Sequence, residues 1–173
     1  MAECRALFEK KTRDYGTSWR IMRLPSLTDQ IFIKANRIRS VQESGENRVG
    51  DGLRDEFMAM VNYAVMALIQ GERLQVKGEG VELPLEKALE LYDGQTKRVL
   101  DLMMDKNHDY GEAWRQMRVS SMVDLILMKL LRIKQIEDND GRTLVSEGVE
   151  GGYMDIINYS LFCLVRMTEN SND

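Results

Sequence analysis

KTRDYGTSWRIMR, residues 11 to 23, is written a second time as KNHDYGEAWRQMR at residues 106 to 118. The likeness runs on past the phrase. Between Lys11 and Ile38, 14 of 28 positions are identical to the residue 95 places later, where unrelated segments would share on the order of two. After the next loop the offset becomes 96, pairing Asp51 with Glu147, Gly52 with Gly148, Met58 with Met154, Asn62 with Asn158 and Tyr63 with Tyr159. One residue was gained in that loop. The chain is an internal duplication, so its architecture follows from what one copy can form and how two copies pack.

Each copy reads as three helices. The first, over about 2–13 or 95–107, runs into D-Y-G, where Gly16 or Gly111 supplies the positive φ that closes a helix. The second is expected to start at S-L-T-D (26–29) or S-M-V-D (121–124), which has the spacing of a capping box with Asp in place of Glu. That reading makes Ser26, Asp29, Ser121 and Asp124 end-caps and removes them from the catalytic candidates. A third helix follows a Gly-rich charged loop, over roughly 52–70 and 148–168. No stretch alternates with the period of a strand, and the apolar positions follow helical spacing.

The expected fold is all-α: two three-helix units, 1–70 and 95–173, packed about a pseudo-twofold axis as one bundle. The linker, 71–94, holds a short extra helix after Pro84 and a break at Asp93-Gly94.

Composition limits the function classes. At 43% hydrophobic and 30% charged residues, the 173-residue chain is globular and not disordered. No apolar run approaches the roughly 20 residues that span a bilayer, and charges interrupt the N-terminal stretch MAECRALFEKK where a signal peptide needs an apolar core. The expected location is the cytoplasm, without a membrane partner. Two cysteines, Cys4 and Cys163, build neither a disulfide framework nor a zinc site, and the single histidine, His108, has Arg13 as its counterpart. A net charge of −4 and the absence of a basic recognition helix disfavour duplex DNA as a partner.

Chemistry has three sources in this sequence. The stretch at 122–136 is apolar nearly all round, the pattern of a helix buried inside a bundle, and on it Lys129 and Arg132 are three residues apart and share a face, an arrangement that Lys34 and Arg37 repeat. Cations on a buried helix need anionic partners, either neighbouring carboxylates or a bound phosphate.

The third helices supply acids. Asp51 and Asp55 are four apart, Glu147 and Asp155 eight apart with Glu150 between, and such positions drift only about 40° per step around a helix. The copies differ in a complementary way, with Ala59 where Asp155 stands and Gly151 where Asp55 stands. Carboxylates beside Lys and Arg suit Mg²⁺ with a polyphosphate. They equally suit a lattice of internal salt bridges.

The repeated phrase adds rings and guanidinium groups. Tyr15, Trp19, Tyr110 and Trp114 are candidates to stack a base, while Arg20, Arg23, Arg115 and Arg118 are candidates to fork onto phosphate oxygens. The structural alternative makes the tryptophans core anchors. Asn62 and Asn158, mid-helix among apolar residues, need partners and are candidates to orient the acids or read a base edge.

The combination K-x-x-D-Y-G-x-x-W-R, K-x-x-R-I and a late acidic helix containing N-Y resembles the nucleotide-modification-associated domain of small phage and bacterial proteins, here present in tandem. The resemblance covers both copies and leaves mainly the linker unmatched. It implies three acids ahead of N-Y on the last helix. Carried onto this chain they are Asp51 and Asp55 in the first copy and Glu147 and Asp155 in the second, with Ala59 and Gly151 departing from the pattern. The outline is also similar to the all-α nucleoside triphosphate pyrophosphatases, whose acidic helices hold magnesium. Lys34, Arg37, Lys129 and Arg132 stand where those enzymes place glutamates.

The resulting expectation is a protein that binds a nucleotide or related phosphate, with Mg²⁺ as the candidate cofactor and hydrolysis as the candidate reaction. Asp51, Asp55, Glu147 and Asp155 would hold the metal. Lys34, Arg37, Lys129, Arg132, Arg20 and Arg115 would hold the phosphates, and Tyr15, Trp19, Tyr110, Trp114, Asn62 and Asn158 the base. The alternative is a non-catalytic binding or scaffold module whose charges pair with one another. Homo-oligomerisation is left open by the sequence.

Overall fold

The computed structural model describes residues 1–47, 52–73, 80–143 and 148–169. Over them the chain forms α1 (Ala2–Tyr15), α2 (Leu24–Ser44), α3 (Leu53–Arg73), α4 (Leu85–Tyr110), α5 (Val119–Asp138) and α6 (Gly148–Glu169), with 3₁₀ turns at Ser18–Ile21 and Ala113–Gln116 and no strand among the described residues. The protein is all-α, and its two copies are α1–α2–α3 and α4–α5–α6.

The core is a ring of four helices in which α2 packs on α3, α3 on α6, α6 on α5 and α5 back on α2. The same stripe of each copy makes it. Leu27, Ile31, Ala35 and Ile38 are buried on α2, and their counterparts Met122, Ile126, Leu130 and Ile133 are buried on α5, at the three-and-four spacing of one helix face. Phe57, Met60, Val61 and Val65 on α3 answer Tyr153, Ile156, Ile157 and Leu161 on α6. Burying such side chains contributes about 1.5–3 kcal/mol each, which is why the stripe stays hydrophobic in both copies although most of its residues differ between them.

Ion pairs cross between the copies reciprocally. Lys134 Nζ lies 2.5 Å from Asp29 Oδ1, and Arg39, the counterpart of Lys134, lies 3.7 Å from Oδ1 of Asp124, the counterpart of Asp29. Exposed pairs of this kind stabilise little. They tie the corresponding acids, Asp29 and Asp124, each to a cation of the other copy.

Three local expectations are corrected. First, α2 begins at Leu24 and α5 at Val119, with Arg23 and Arg118 at the N-caps and no side-chain cap bond. Ser26 and Ser121 therefore lie inside the helices, and Asp29 and Asp124 make the cross-copy ion pairs instead of capping boxes. Extended backbone at Met22 and Met117, after each 3₁₀ turn, sets the earlier start, and Pro25 suits the first turn of α2.

Second, Asp93-Gly94 does not break the chain, because α4 runs unbroken from Leu85 to Tyr110. Ala88, Tyr92, Gln95, Thr96 and Val99 form one buried stripe through it, and that burial outweighs the roughly 1 kcal/mol cost of a helical glycine. Third, α5 is not covered all round: Met128 is 42% and Leu131 52% exposed.

Glycines close α1 and α4 as expected, at φ 62° and φ 59°. They are not equivalent. Gly111 is in the ordinary left-handed region with open space where a side chain would point, whereas Gly16 has ψ −149° and faces Glu82, whose Oε2 would clash with an added Cβ. Gly16→Ala should therefore cost about 2 kcal/mol and Gly111→Ala about 1 kcal/mol. Chemical denaturation of the two variants beside the parent measures the difference.

Candidate functional site

In the first copy the cations of α2 meet an acid that is easily overlooked in the sequence. Glu56 is only 6% exposed. It accepts a 3.0 Å hydrogen bond from Lys34 Nζ on one carboxylate oxygen and a short one from Arg37 on the other. Arg37 also donates to Asn47 Oδ1 at 3.2 Å. Asp55, one residue before Glu56, is exposed and accepts from the Gly52 N–H at 3.2 Å. Asp51 lies outside the described residues.

The second copy solves the same problem differently. Gly152 occupies the place of Glu56, and an added Cβ there would lie 2.9 Å from the Ile133 side chain, so the α5–α6 contact is too close for the acid. Asp155 takes over, with Lys129 Nζ at 2.6 Å on one oxygen and Lys106 Nζ at 3.0 Å on the other. Burial alone would push the Asp155 carboxyl up, but hydrogen bonds and charge from Lys129 and Lys106 outweigh it and hold the group below the usual carboxylate range. A carboxylate neutralised by two ammonium groups is a poor metal ligand. Arg132 is exposed, and Glu147 lies outside the described residues.

Of the four acids expected to hold the metal, Asp51 and Glu147 lie outside the described residues, and Asp55 and Asp155 have the partners given above. Among the described residues no group of three or more His, Cys, Asp or Glu side chains is placed to hold a metal ion. Neither thiol is poised for chemistry: both cysteines are buried and free, and burial raises Cys4 and pushes Cys163 up to about 12.

What the second copy does form is a cleft. It has a volume of about 380 Å³ and lies between α4, the second 3₁₀ turn and α6, within the range of small-molecule sites. Lys106, Tyr110, Trp114, Met117, Asn158 and Tyr159 line it, and all six are identical in the two copies. Asp155, with its two lysines, stands beside them.

Two polar atoms within the lining residues are buried and have no partner: the Asn158 carbonyl oxygen and the Trp114 indole N–H. Asn158 is 5% exposed. Leaving such groups unsatisfied costs about 1–3 kcal/mol each.

The aromatic candidates separate by geometry. Trp114 stacks on Phe162 at 4.4 Å with 4° between the planes and carries the Arg115 guanidinium 4.4 Å from its ring centroid. Its ring face is already engaged, which leaves the buried N–H as its one unpartnered polar group. Tyr110 is 75% exposed at the mouth of the cleft, and Tyr15 is similarly exposed in the first copy.

Arg115 pairs with Glu112 at 2.8 Å and with Glu169. Arg20 instead donates to the carbonyls of Gly80 and Val81. The turn carbonyls are held alike in both copies, Arg20 O by Gln70 at 2.8 Å and Arg115 O by Arg166 at 2.6 Å.

Residues 11–70 and 106–167 each match the model of the family described as nucleotide modification associated domain 1. The chain belongs to that family. Its two nucleotide modification associated domains coincide with the two copies, and every residue lining the cleft falls within the second domain's match, apart from Met103. No curated protein and no solved structure matches the chain. No helix among the described residues is long and apolar enough to cross a membrane.

Proposed function

We propose that the chain binds a nucleotide or a related phosphorylated ring compound in the cleft of its second domain. The observation that carries this reading is the buried, unpartnered Asn158 carbonyl oxygen, beside the Trp114 N–H, which like that of Trp19 in the first domain has no partner. One accepts and the other donates, which complements the donor–acceptor edge of a nucleobase. Tyr110 and Tyr159 supply rings for stacking, and Lys106, whose side chain stays 47% exposed beside its pair with Asp155, supplies a cation for phosphate. Magnesium enters with the phosphates in this reading and not through a cage of protein acids.

The ion pairs favour binding without hydrolysis. Lys34 and Arg37 are engaged by Glu56, and Lys129 by Asp155, so these charges serve the fold first. The second reading, Mg²⁺-dependent hydrolysis, requires Asp155 to exchange a lysine for metal.

A thermal-shift series separates them, using nucleosides and nucleoside mono-, di- and triphosphates with and without Mg²⁺. A ligand at a hundred times its Kd stabilises by about 2.7 kcal/mol, or roughly 5–10 °C for a chain of this size. A shift with the monophosphate that needs no Mg²⁺, without released phosphate or pyrophosphate, is the expected result. A shift that needs Mg²⁺ and is accompanied by product favours hydrolysis. No shift with any member of the series removes the nucleotide reading.

A further inference from the structure

The two domains carry the same asparagine in opposite states. In the first, Asn62 is 5% exposed and fully engaged: its Nδ2 donates to the Cys4 carbonyl at 3.0 Å, and its Oδ1 accepts from the Tyr92 hydroxyl at 2.8 Å. In the second, the corresponding oxygen of Asn158 has no partner. Tyr92 belongs to neither matched region. It comes from the N-terminal half of α4, which precedes the second copy and packs on α1 and α3.

The Tyr92 ring is wholly buried and stacks on Phe8 at 4.5 Å, and Phe8 in turn lies 6.4 Å from the Trp19 ring. The counterpart of Phe8 is Met103, a lining residue of the open cleft. A second seal lies over the repeated phrase of the first domain. Glu82 accepts from the Thr17 N–H at 3.1 Å, while the Thr17 hydroxyl donates to the Val81 carbonyl at 2.8 Å and accepts from the Leu83 N–H at 2.9 Å.

We infer that the first domain is the same site with its occupant built in: Tyr92 fills it, and the chain holds one ligand, in the second domain, whose ring donates to Asn158 as the Tyr92 phenol donates to Asn62. This rests on the second-domain cleft being a ligand site, and it adds the ligand's chemistry and number. The ligand class is a planar ring carrying a hydroxyl or ring N–H donor for Asn158; the indole N–H has no partner in either domain, at Trp19 as at Trp114, and Tyr92 does not meet it. Within this reading the first domain is structural, and its duplication left a template of how the second is occupied.

The two tryptophans give a direct test, because each domain contributes one indole N–H signal to a nitrogen-edited NMR spectrum of the full-length protein. The probes are p-cresol, which is the tyrosine side chain as a free molecule, and adenosine and uridine 5′-monophosphates. The expected result is a shift of the Trp114 signal and not of the Trp19 signal. It saturates at one probe per chain, loses at least about tenfold in affinity in Asn158→Leu, the loss of one hydrogen bond's worth of binding, and is unchanged in Tyr92→Phe.

Binding of p-cresol in this pattern without either nucleotide would leave the inference standing and remove the nucleotide reading. Nucleotide binding that is indifferent to Asn158→Leu, or that moves both indoles with two probes per chain, would overturn the inference while nucleotide binding itself stood. Silence of both indoles towards all three probes would overturn the inference as well.

Discussion

Asn62→Leu is expected to lower the unfolding temperature by roughly 6–12 °C, while Asn158→Leu leaves it unchanged or raises it. The substitutions are chemically identical and fall at corresponding positions, so the difference isolates the partners. Leucine at 62 abandons two hydrogen bonds, taking the Asn62 donor from the Cys4 carbonyl and leaving the Tyr92 hydroxyl only the weak acceptor Met1 Sδ at 3.8 Å, at about 3 kcal/mol in sum. Leucine at 158 removes an oxygen that already had no partner.

Burial pushes the Tyr92 phenol above its ordinary range, so it stays a donor and cannot relieve the loss by ionising. Adding Tyr92→Phe to Asn62→Leu should recover part of the stability, since the orphaned hydroxyl then goes too. Equal destabilisation at 62 and 158, read from thermal melts of the four proteins, would mean that Asn158 has a partner in solution after all.

The helices and the core were legible because both are written twice. A stripe such as Leu27, Ile31, Ala35 and Ile38 could be accidental once, but its return as Met122, Ile126, Leu130 and Ile133 could not. Helix starts were misread because a capping box is a local pattern, and the preceding 3₁₀ turn had already aimed the backbone into a helix two residues earlier. The continuity of α4 through Asp93-Gly94 was hidden for the opposite reason. Local residues favour a break there, and only burial against α1 and α3 overrides them.

The candidate site was legible in its residue types and not in its pairings. The sequence singles out Tyr110, Trp114, Asn158 and Asp155 as candidates, and all four return as the lining of one cleft. It does not separate an engaged copy from an open one, because that depends on Tyr92, which lies in the stretch set aside as linker. Glu56 was missed because the repeat directs attention to what the copies share, and Glu56 has no acidic counterpart. The mismatch with Gly152 was the available signal: an acid present in one copy facing cations present in both.

That mismatch also predicts the behaviour of Glu56→Gln, which should cost about 3 kcal/mol. Glu56 is the anion for two cations whose side chains are only 25% and 21% exposed, and breaking a buried pair from one side leaves charge without compensation, typically at 3–5 kcal/mol. The lower end applies because Lys34 and Arg37 keep some contact with water. Replacing all three together, Glu56→Gln with Lys34→Met and Arg37→Leu, should restore most of the loss, since a removed triad leaves no orphan behind.

Phosphate decides whether these cations have any second role. If Lys34 and Arg37 were a phosphate site masked by Glu56, 50 mM inorganic phosphate would stabilise Glu56→Gln well beyond the parent protein. If they are an internal ion pair, phosphate and an equal ionic strength of chloride would act alike on both proteins. The second result is expected, because the second domain again answers its helix cation with an internal acid, Lys129 with Asp155, and leaves Arg132 exposed, as a cation kept for packing and solvation can be.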